Sequence, residues 1–269
     1  MPYENINLIA IYIALGIGAV LVALALYKKV LTLPATATAF IVLVLSALFT
    51  GYTGVTVFSL SFALAALLSL VKREKRKARE EGLYPRVGAR GIVSVLANSL
   101  PALIYGAVYF GTGIRAFFIA SAVTVVAGVA DSFASDIGII GEGKVVSILT
   151  FKEVPRGMSG GVSLLGTLSA LLSSLFVSLA LFAVGEIGLK GAWVVPLSAF
   201  LGTIIDSILG ASVQRAYKCR VCGKLTERKS HCDTPTDKIK GLAIVDNNVV
   251  NVISLLLAGG ISLAFYLIK

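Results

Sequence analysis

Apolar residues run along this chain in long, nearly unbroken stretches of about 20, the length that crosses the hydrocarbon core of a bilayer. They do not follow the one-sided 3.6-residue stripe of a helix on the surface of a soluble domain. Eight stretches stand out, at approximately 7–27, 35–50, 54–71, 91–110, 116–140, 160–184, 191–213 and 242–268. The second and third are short and parted only by Gly51-Tyr52-Thr53-Gly54, so the pair reads as two spans or one re-entrant element. The first has neither a basic leader nor a small-residue cleavage site, and it reads as a true span rather than a signal peptide. The pattern predicts an all-α, polytopic transmembrane helix bundle of about eight spans.

Composition agrees. Of 269 residues, 57% are hydrophobic and 14% charged, against roughly 25% charged in soluble domains; mean hydropathy is +0.92. A soluble globule, a disordered chain, a coiled coil and a disulfide scaffold are excluded. The net charge of +10 adds topology. With the N-terminus outside, 21 of the 24 lysines and arginines fall in cytoplasmic segments, and only Arg115, Lys190 and Lys269 fall outside. This asymmetry predicts an N-out, C-out protein of the cell membrane with its basic loops in the cytoplasm. The chain then divides into a three-span segment (1–71), a basic connector (72–90), core spans four to seven (91–213), a cysteine-containing loop (214–241) and a final span (242–269). The bilayer is the evident partner. Nothing in the pattern points to nucleic acid or to a particular oligomeric state.

Three acids interrupt the apolar runs: Asp131 and Asp136 in span five, Asp206 in span seven. A carboxylate near the centre of a membrane helix costs about 2.5–3.5 kcal/mol and marks a functional site by default. Asp131 lies about 14 Å from the cytoplasmic end of its span at 1.5 Å per residue, and Asp206 sits at a similar depth. Ser132, Ser135 and Ser207 accompany them. An interhelical polar clasp, a proton or cation path, and a Mg²⁺ site all use such groups.

The basic and glycine-rich pieces favour the last. Arg156-Gly157-Met158-Ser159-Gly160-Gly161 enters span six, a pattern that suits anion binding at a helix N-terminus or simply close packing. Arg86 and Arg90 stand at the entry of span four, Asn98 lies within it beside Pro101, and Asn247, Asn248 and Asn251 open span eight. On the predicted topology every one of these faces the cytoplasm. A transporter places polar groups on both sides of the midplane, so the one-sided layer points to an enzyme with a magnesium–phosphate site. Gly138 to Val145 imitates a P-loop, but Val145 stands where Mg²⁺ needs a hydroxyl, and no strand precedes it. Cys219, Cys222, His231 and Cys232 have the spacing of a structural zinc knuckle, with three unlinked thiols as the plainer alternative.

Taken together, several segments resemble a known family. They are Val87-Gly88-Ala89-Arg90 with Leu96-Ala97-Asn98, Ala130-Asp131-Ser132 through Gly138, Arg156-Gly157 through Thr167, Asp206 through Ala211, the C-x2-C-G-K stretch, and Asn247 through Asn251. The sequence is similar to the transmembrane protein 19 group, which includes plant and cyanobacterial phytyl-phosphate kinase. The likeness covers roughly residues 86–255; Ser132 and Asp136 stand where Thr and Glu are expected. The resemblance implies phosphorylation of an isoprenyl monophosphate to its diphosphate by a nucleoside triphosphate with Mg²⁺, CTP being the donor favoured on resemblance alone. Asp131, Asp136 and Asp206 would hold the metal, while Arg90, Arg156 and the Gly160-Gly161 helix start would neutralise the transferring phosphoryl group. A CTP-dependent cytidylyltransferase acting on a lipid phosphate, and a proton-coupled lipid or small-molecule transporter, are the competing expectations.

Overall fold

The computed structural model describes residues 8–28, 31–70 and 91–268. The connector 72–90, with Arg86 and Arg90, lies outside the described residues. Among the described residues seven helices follow the apolar runs: α1 (Leu8–Lys28), α2 (Leu33–Leu70), α3 (Ile92–Thr112), α4 (Arg115–Ile140), α5 (Leu164–Ala183), α6 (Leu189–Ser212) and α7 (Asn247–Leu267). Six of them, α2 to α7, are long and apolar enough to cross a membrane. The result is a polytopic helical bundle.

The stretches 35–50 and 54–71 fall in α2, which breaks sharply at Gly51 (φ 61°, ψ −138°). A Cβ on Gly54 would lie 2.4 Å from the Ser46 carbonyl oxygen, whereas eight residues of straight helix span about 12 Å. The helix therefore doubles back into two arms. Gly51 supplies the left-handed backbone and Gly54 the bare surface that this turn requires.

Helix α4 packs against α2, α3, α5, α6 and α7, and these five touch one another in a closed ring (α2–α3–α7–α6–α5–α2), with α1 laid on α2. Its sequence explains the central place. Ala120, Ala122, Val123, Val126, Ala127 and Ala130 are small and buried, and small residues let helices approach closely where lipid offers no hydrophobic driving force. Gly202 of α6 continues this seam, where a Cβ would stand 2.7 Å from that of Ala258 on α7 and 3.3 Å from that of Ala127. Interhelical hydrogen bonds add register: Ser121 Oγ donates to the Ala102 carbonyl (2.9 Å), Ser169 Oγ to Phe133 (3.1 Å), and Tyr105 Oη to Leu256 (2.8 Å). Large apolar side chains such as Leu164, Leu168, Leu172, Phe176 and Trp193 point outward, as a bilayer-facing ring requires.

Two ends are thus defined. At one, Arg115 donates to the Glu186 carbonyl (3.1 Å), the Glu186 carboxylate meets Thr53 at the fold of α2, and Lys190 holds the end of α7 through the Ile268 carbonyl. At the other, α4 and α6 finish, α5 and α7 begin, and the loops carry short strands that the hydropathy pattern does not reveal. β1 (Val146–Ser147) pairs with β2 (Gly161–Val162). β3 (Ala216–Lys218) runs between β4 (Leu225–Thr226) and β7 (Asp237–Lys240), and β5 (Ser230–His231) pairs with β6 (Thr234–Pro235).

The stretch 160–184 begins its helix only at Leu164, because Gly161–Val162 is β2 and Ser163 caps the helix itself, accepting from the Gly166 amide. The stretch 242–268 likewise becomes helical only at Asn247, with Asp246 as its N-cap.

Candidate functional site

A central helix packed on all sides can carry carboxylates at depth without presenting them to lipid, and α4 carries two. Asp131 and Asp136 lie nine and four residues before its end at Ile140, while Asp206 lies six before the end of α6 at Ser212. All three open into one cavity of about 690 Å³. The same wall contains Ser132 and Ser135 of α4, Ser207 of α6, Asn98 of α3, Asn247, Asn248 and Asn251 of α7, and Gly157, Ser159, Gly160 and Gly161 from the loop before α5. Asp136 is buried at 6% exposure.

Asp206 is held on two sides. Ser254 Oγ donates to its Oδ2 at 2.9 Å, and the Asn251 amide, with its nitrogen turned toward the carboxylate, donates to the same oxygen (3.2 Å) and to the Asn247 carbonyl (3.0 Å). Asn251 thereby joins the start of α7 to the acid of α6.

Arg156 is not in the cavity wall. Its guanidinium donates to the carbonyls of Gly138 and Gly143, closing the C-terminal end of α4. Gly160 and Gly161 line the cavity, but they are not a helix start: α5 begins at Leu164 behind the Ser163 cap. The Gly161 amide donates to the Met158 carbonyl (2.9 Å), and the Gly160 carbonyl accepts from Ile148 (3.0 Å). Gly160 has φ +78°, and a Cβ there would lie 2.3 Å from the Ala211 nitrogen. Close packing of loop on helix is what this glycine provides.

Among the wall residues that the sequence does not single out are Gln214, Arg215 and Glu227, and they meet Asp246, the N-cap of α7. Arg215 forms an ion pair with Asp246 at 3.2 Å, and both are partly buried. Gln214 is fully buried and donates to Ser159 Oγ (2.8 Å) and to Glu227 Oε1 (2.9 Å), while Ser159 also donates to Glu227. Burial pushes the Glu227 carboxyl up to about 7; the Ser159 hydrogen bond opposes the shift, as do Lys240 and Arg215, and Asp246 adds to it. Polar residues are routine in a cytoplasmic loop, so only their return into the bundle marks these.

The raised Glu227 has a stability signature. Its folded-state value of about 7 stands above the ordinary 4.5, so between those values the native state holds the proton more tightly than the unfolded chain. Stability from this group falls as pH rises from about 4.5 through 7 and levels off above, on the order of 3 kcal/mol in all. Thermal unfolding from pH 4.5 to 8 should therefore show Glu227→Gln gaining on the wild type as pH rises; parallel curves would contradict the assignment.

Among the described residues, one group of three or more metal-ligating side chains has its ligand atoms gathered together: Cys219, Cys222, His231 and Cys232, all within 4.8 Å of one another. The three aspartates share a cavity without forming such a cluster. The Cys222 amide pulls the Cys219 thiol down to about 6 against the cost of burial, with the Val221 amide adding to the pull.

A ring of apolar helices around a central acid-bearing helix, with an acid-lined cavity at one end, defines a polytopic membrane protein with a charged site set into its bundle. Residues 16–259 match the family model described as integral membrane protein DUF92, and the chain belongs to that family. It is 37% identical over 139 residues to Protein PGR of Arabidopsis thaliana, covering 47% of each chain. It is 30% identical over 172 residues to Protein VTE6, chloroplastic, of the same plant, covering 61% of this chain and 50% of the relative. A membrane protein of Methanocaldococcus jannaschii is 30% identical over 157 residues, 57% of this chain and 62% of that one. The chain thus spans about half the length of the plant relatives it matches. No solved structure matches it.

Proposed function

We propose that the cavity is the active site of a kinase that converts an isoprenyl monophosphate to the diphosphate with a nucleoside triphosphate and Mg²⁺, and that it opens to the cytoplasm. The observation that carries this reading is the charge of the wall: among the described residues it has five carboxylates (Asp131, Asp136, Asp206, Glu227, Asp246) against one guanidinium, Arg215. Phosphate groups enter such a cavity only in company with cations. Separated carboxylates suit Mg²⁺, which takes one or two protein oxygens and fills its remaining positions with water and substrate phosphate. Asp131, Asp136 and Asp206 are the residues that would hold one or two such ions between them. When bound, the metal would supply positive charge that offsets the charge of the phosphates and stabilises the transferring group.

The protein's own part is placement and electrostatics. A cavity of 690 Å³ falls within the roughly 300–1,000 Å³ of pockets for drug-sized ligands. It has room for headgroup and triphosphate, and the isoprenyl tail lies outside, between helices. Ser254 and Asn251 fix the Asp206 carboxylate, Arg215 contributes a positive charge to the wall, and Glu227, half-protonated near neutral pH, lessens repulsion of incoming phosphate. An oxygen of the acceptor monophosphate attacks the γ-phosphorus in line. The bond from that phosphorus to the β–γ bridging oxygen breaks, and its electron pair leaves with the nucleoside diphosphate. The attacking oxygen is already anionic, so no general base is required.

The test is incubation of the purified protein with each labelled nucleoside triphosphate, Mg²⁺ and isoprenyl monophosphates of several lengths, with mass spectrometry of the lipid. A lipid diphosphate with nucleoside diphosphate released is expected. A CMP-lipid with pyrophosphate released would identify a cytidylyltransferase instead, and lipid flux in proteoliposomes without nucleotide or Mg²⁺ would overturn both.

A further inference from the structure

The loop between α6 and α7 holds a second constellation, apart from the cavity and chemically unlike it. Cys219 Sγ accepts the Val221 amide at 3.4 Å, the Cys219 carbonyl accepts the Gly223 amide at 3.1 Å, and Gly223 adopts φ +69°. This turn folds Cys222 back beside Cys219. The other two residues come from the tight β5–β6 hairpin, where Cys232 and Asp233 both have positive φ (51° and 54°) between the paired His231 and Thr234. The turn sets Cys222 Sγ 3.5 Å and Cys232 Sγ 3.2 Å from His231 Nδ1. Tetrahedral zinc, with Zn–S near 2.3 Å and Zn–N near 2.0–2.1 Å, separates its ligands by roughly 3.5–3.8 Å. Three thiols and one imidazole nitrogen within 4.8 Å fit that ion with little movement.

We propose that Cys219, Cys222, His231 and Cys232 form a closed structural Zn²⁺ site, and that this site fastens the β3–β4 hairpin so that Glu227 is held against the cavity. Cys219 directly follows β3, Cys222 lies in the turn, and Glu227 directly follows β4, with Tyr217 paired to Thr226 and Lys218 to Leu225. The Cys219 amide closes the hairpin on the Lys224 carbonyl at 2.9 Å. The metal thus clamps the turn of a hairpin whose far strand ends at Glu227, which Ser159 and Gln214 meet from the membrane side. With four protein ligands there is no open position, so the ion is structural rather than catalytic. The link to the cavity rests on the functional reading above; the metal itself does not.

The experiment is elemental analysis of the tag-free, full-length protein purified with reductant, followed by exchange with cobalt. One zinc per chain is expected, and the cobalt form should show thiolate-to-metal charge-transfer bands together with the visible bands of a tetrahedral site. Zinc well below one equivalent, or cobalt spectra without thiolate bands, would overturn the site. Chelation should then speed trypsin cleavage within 215–240 by about tenfold or more, whatever the enzymatic activity. Equal cleavage rates with and without metal would remove the clamp. Glu227→Gln should keep its full equivalent of zinc, because the clamp holds the carboxylate and not the reverse; loss of metal in that variant would count against the proposal. A failed kinase assay leaves all these readouts untouched.

Discussion

Asp206→Asn should lower turnover by on the order of 10²–10³-fold or more, the usual effect of removing one preorganised charged group from a reacting centre, while leaving the protein folded. The substitution isolates charge from shape. Ser254 Oγ, which donates to Asp206 Oδ2 at 2.9 Å, can donate equally to an amide oxygen, so the contact between α6 and α7 survives. A carboxylate inside a bundle is also costly to desolvate, so its neutral isostere should hold or slightly raise the melting temperature. The opposite result, normal activity with lowered thermal stability, would mean that the acid is a clasp between helices and would remove the metal assignment. Asp131→Asn should behave alike, because Asp131 lines the same cavity from α4.

The sequence makes Asp131 and Asp206 visible for a simple reason: in an apolar run an acid has no business unless something uses it, and span direction alone brings both to a similar depth. Asn251 and Asn98 are legible on the same ground. Glu227, Arg215 and Gln214 are hidden because they come from a polar loop, where charge is the rule. The sheet β4–β3–β7, invisible to hydropathy, turns Glu227 inward, and the exit from α6 does the same for Gln214 and Arg215. Arg156 shows a different limit. An arginine beside glycines suits a phosphate and a helix C-terminus equally well, since both present oxygen acceptors; here it takes the carbonyls of Gly138 and Gly143. The doubled-back α2 was half legible: Gly51 to Gly54 marks the break, but whether the arms separate or fold together depends on Gly54 meeting the Ser46 carbonyl.

The glycine at position 160 invites the other large effect. Gly160→Ala should destabilise the protein by about 2–5 kcal/mol, combining left-handed strain of about 1–2 kcal/mol with overpacking of about 1–3 kcal/mol. The added methyl would sit 2.3 Å from the Ala211 nitrogen and 2.4 Å from its Cα, and a helix backbone cannot yield as a side chain can. The loop must lift from α6, separating Ser159 from Gln214 and Glu227, so activity should fall with stability. Gly143→Ala supplies the control. It also has positive φ (100°), but nothing lies within 4 Å of its Cβ position, so it should show strain without collision and a smaller drop in melting temperature. Adding Ala211→Gly to Gly160→Ala removes only the Cβ part of the clash, leaving the collision with the backbone nitrogen and Cα, and should restore little. Rescue by that double substitution would show that side-chain crowding, rather than contact of loop with helix backbone, is what the glycine relieves.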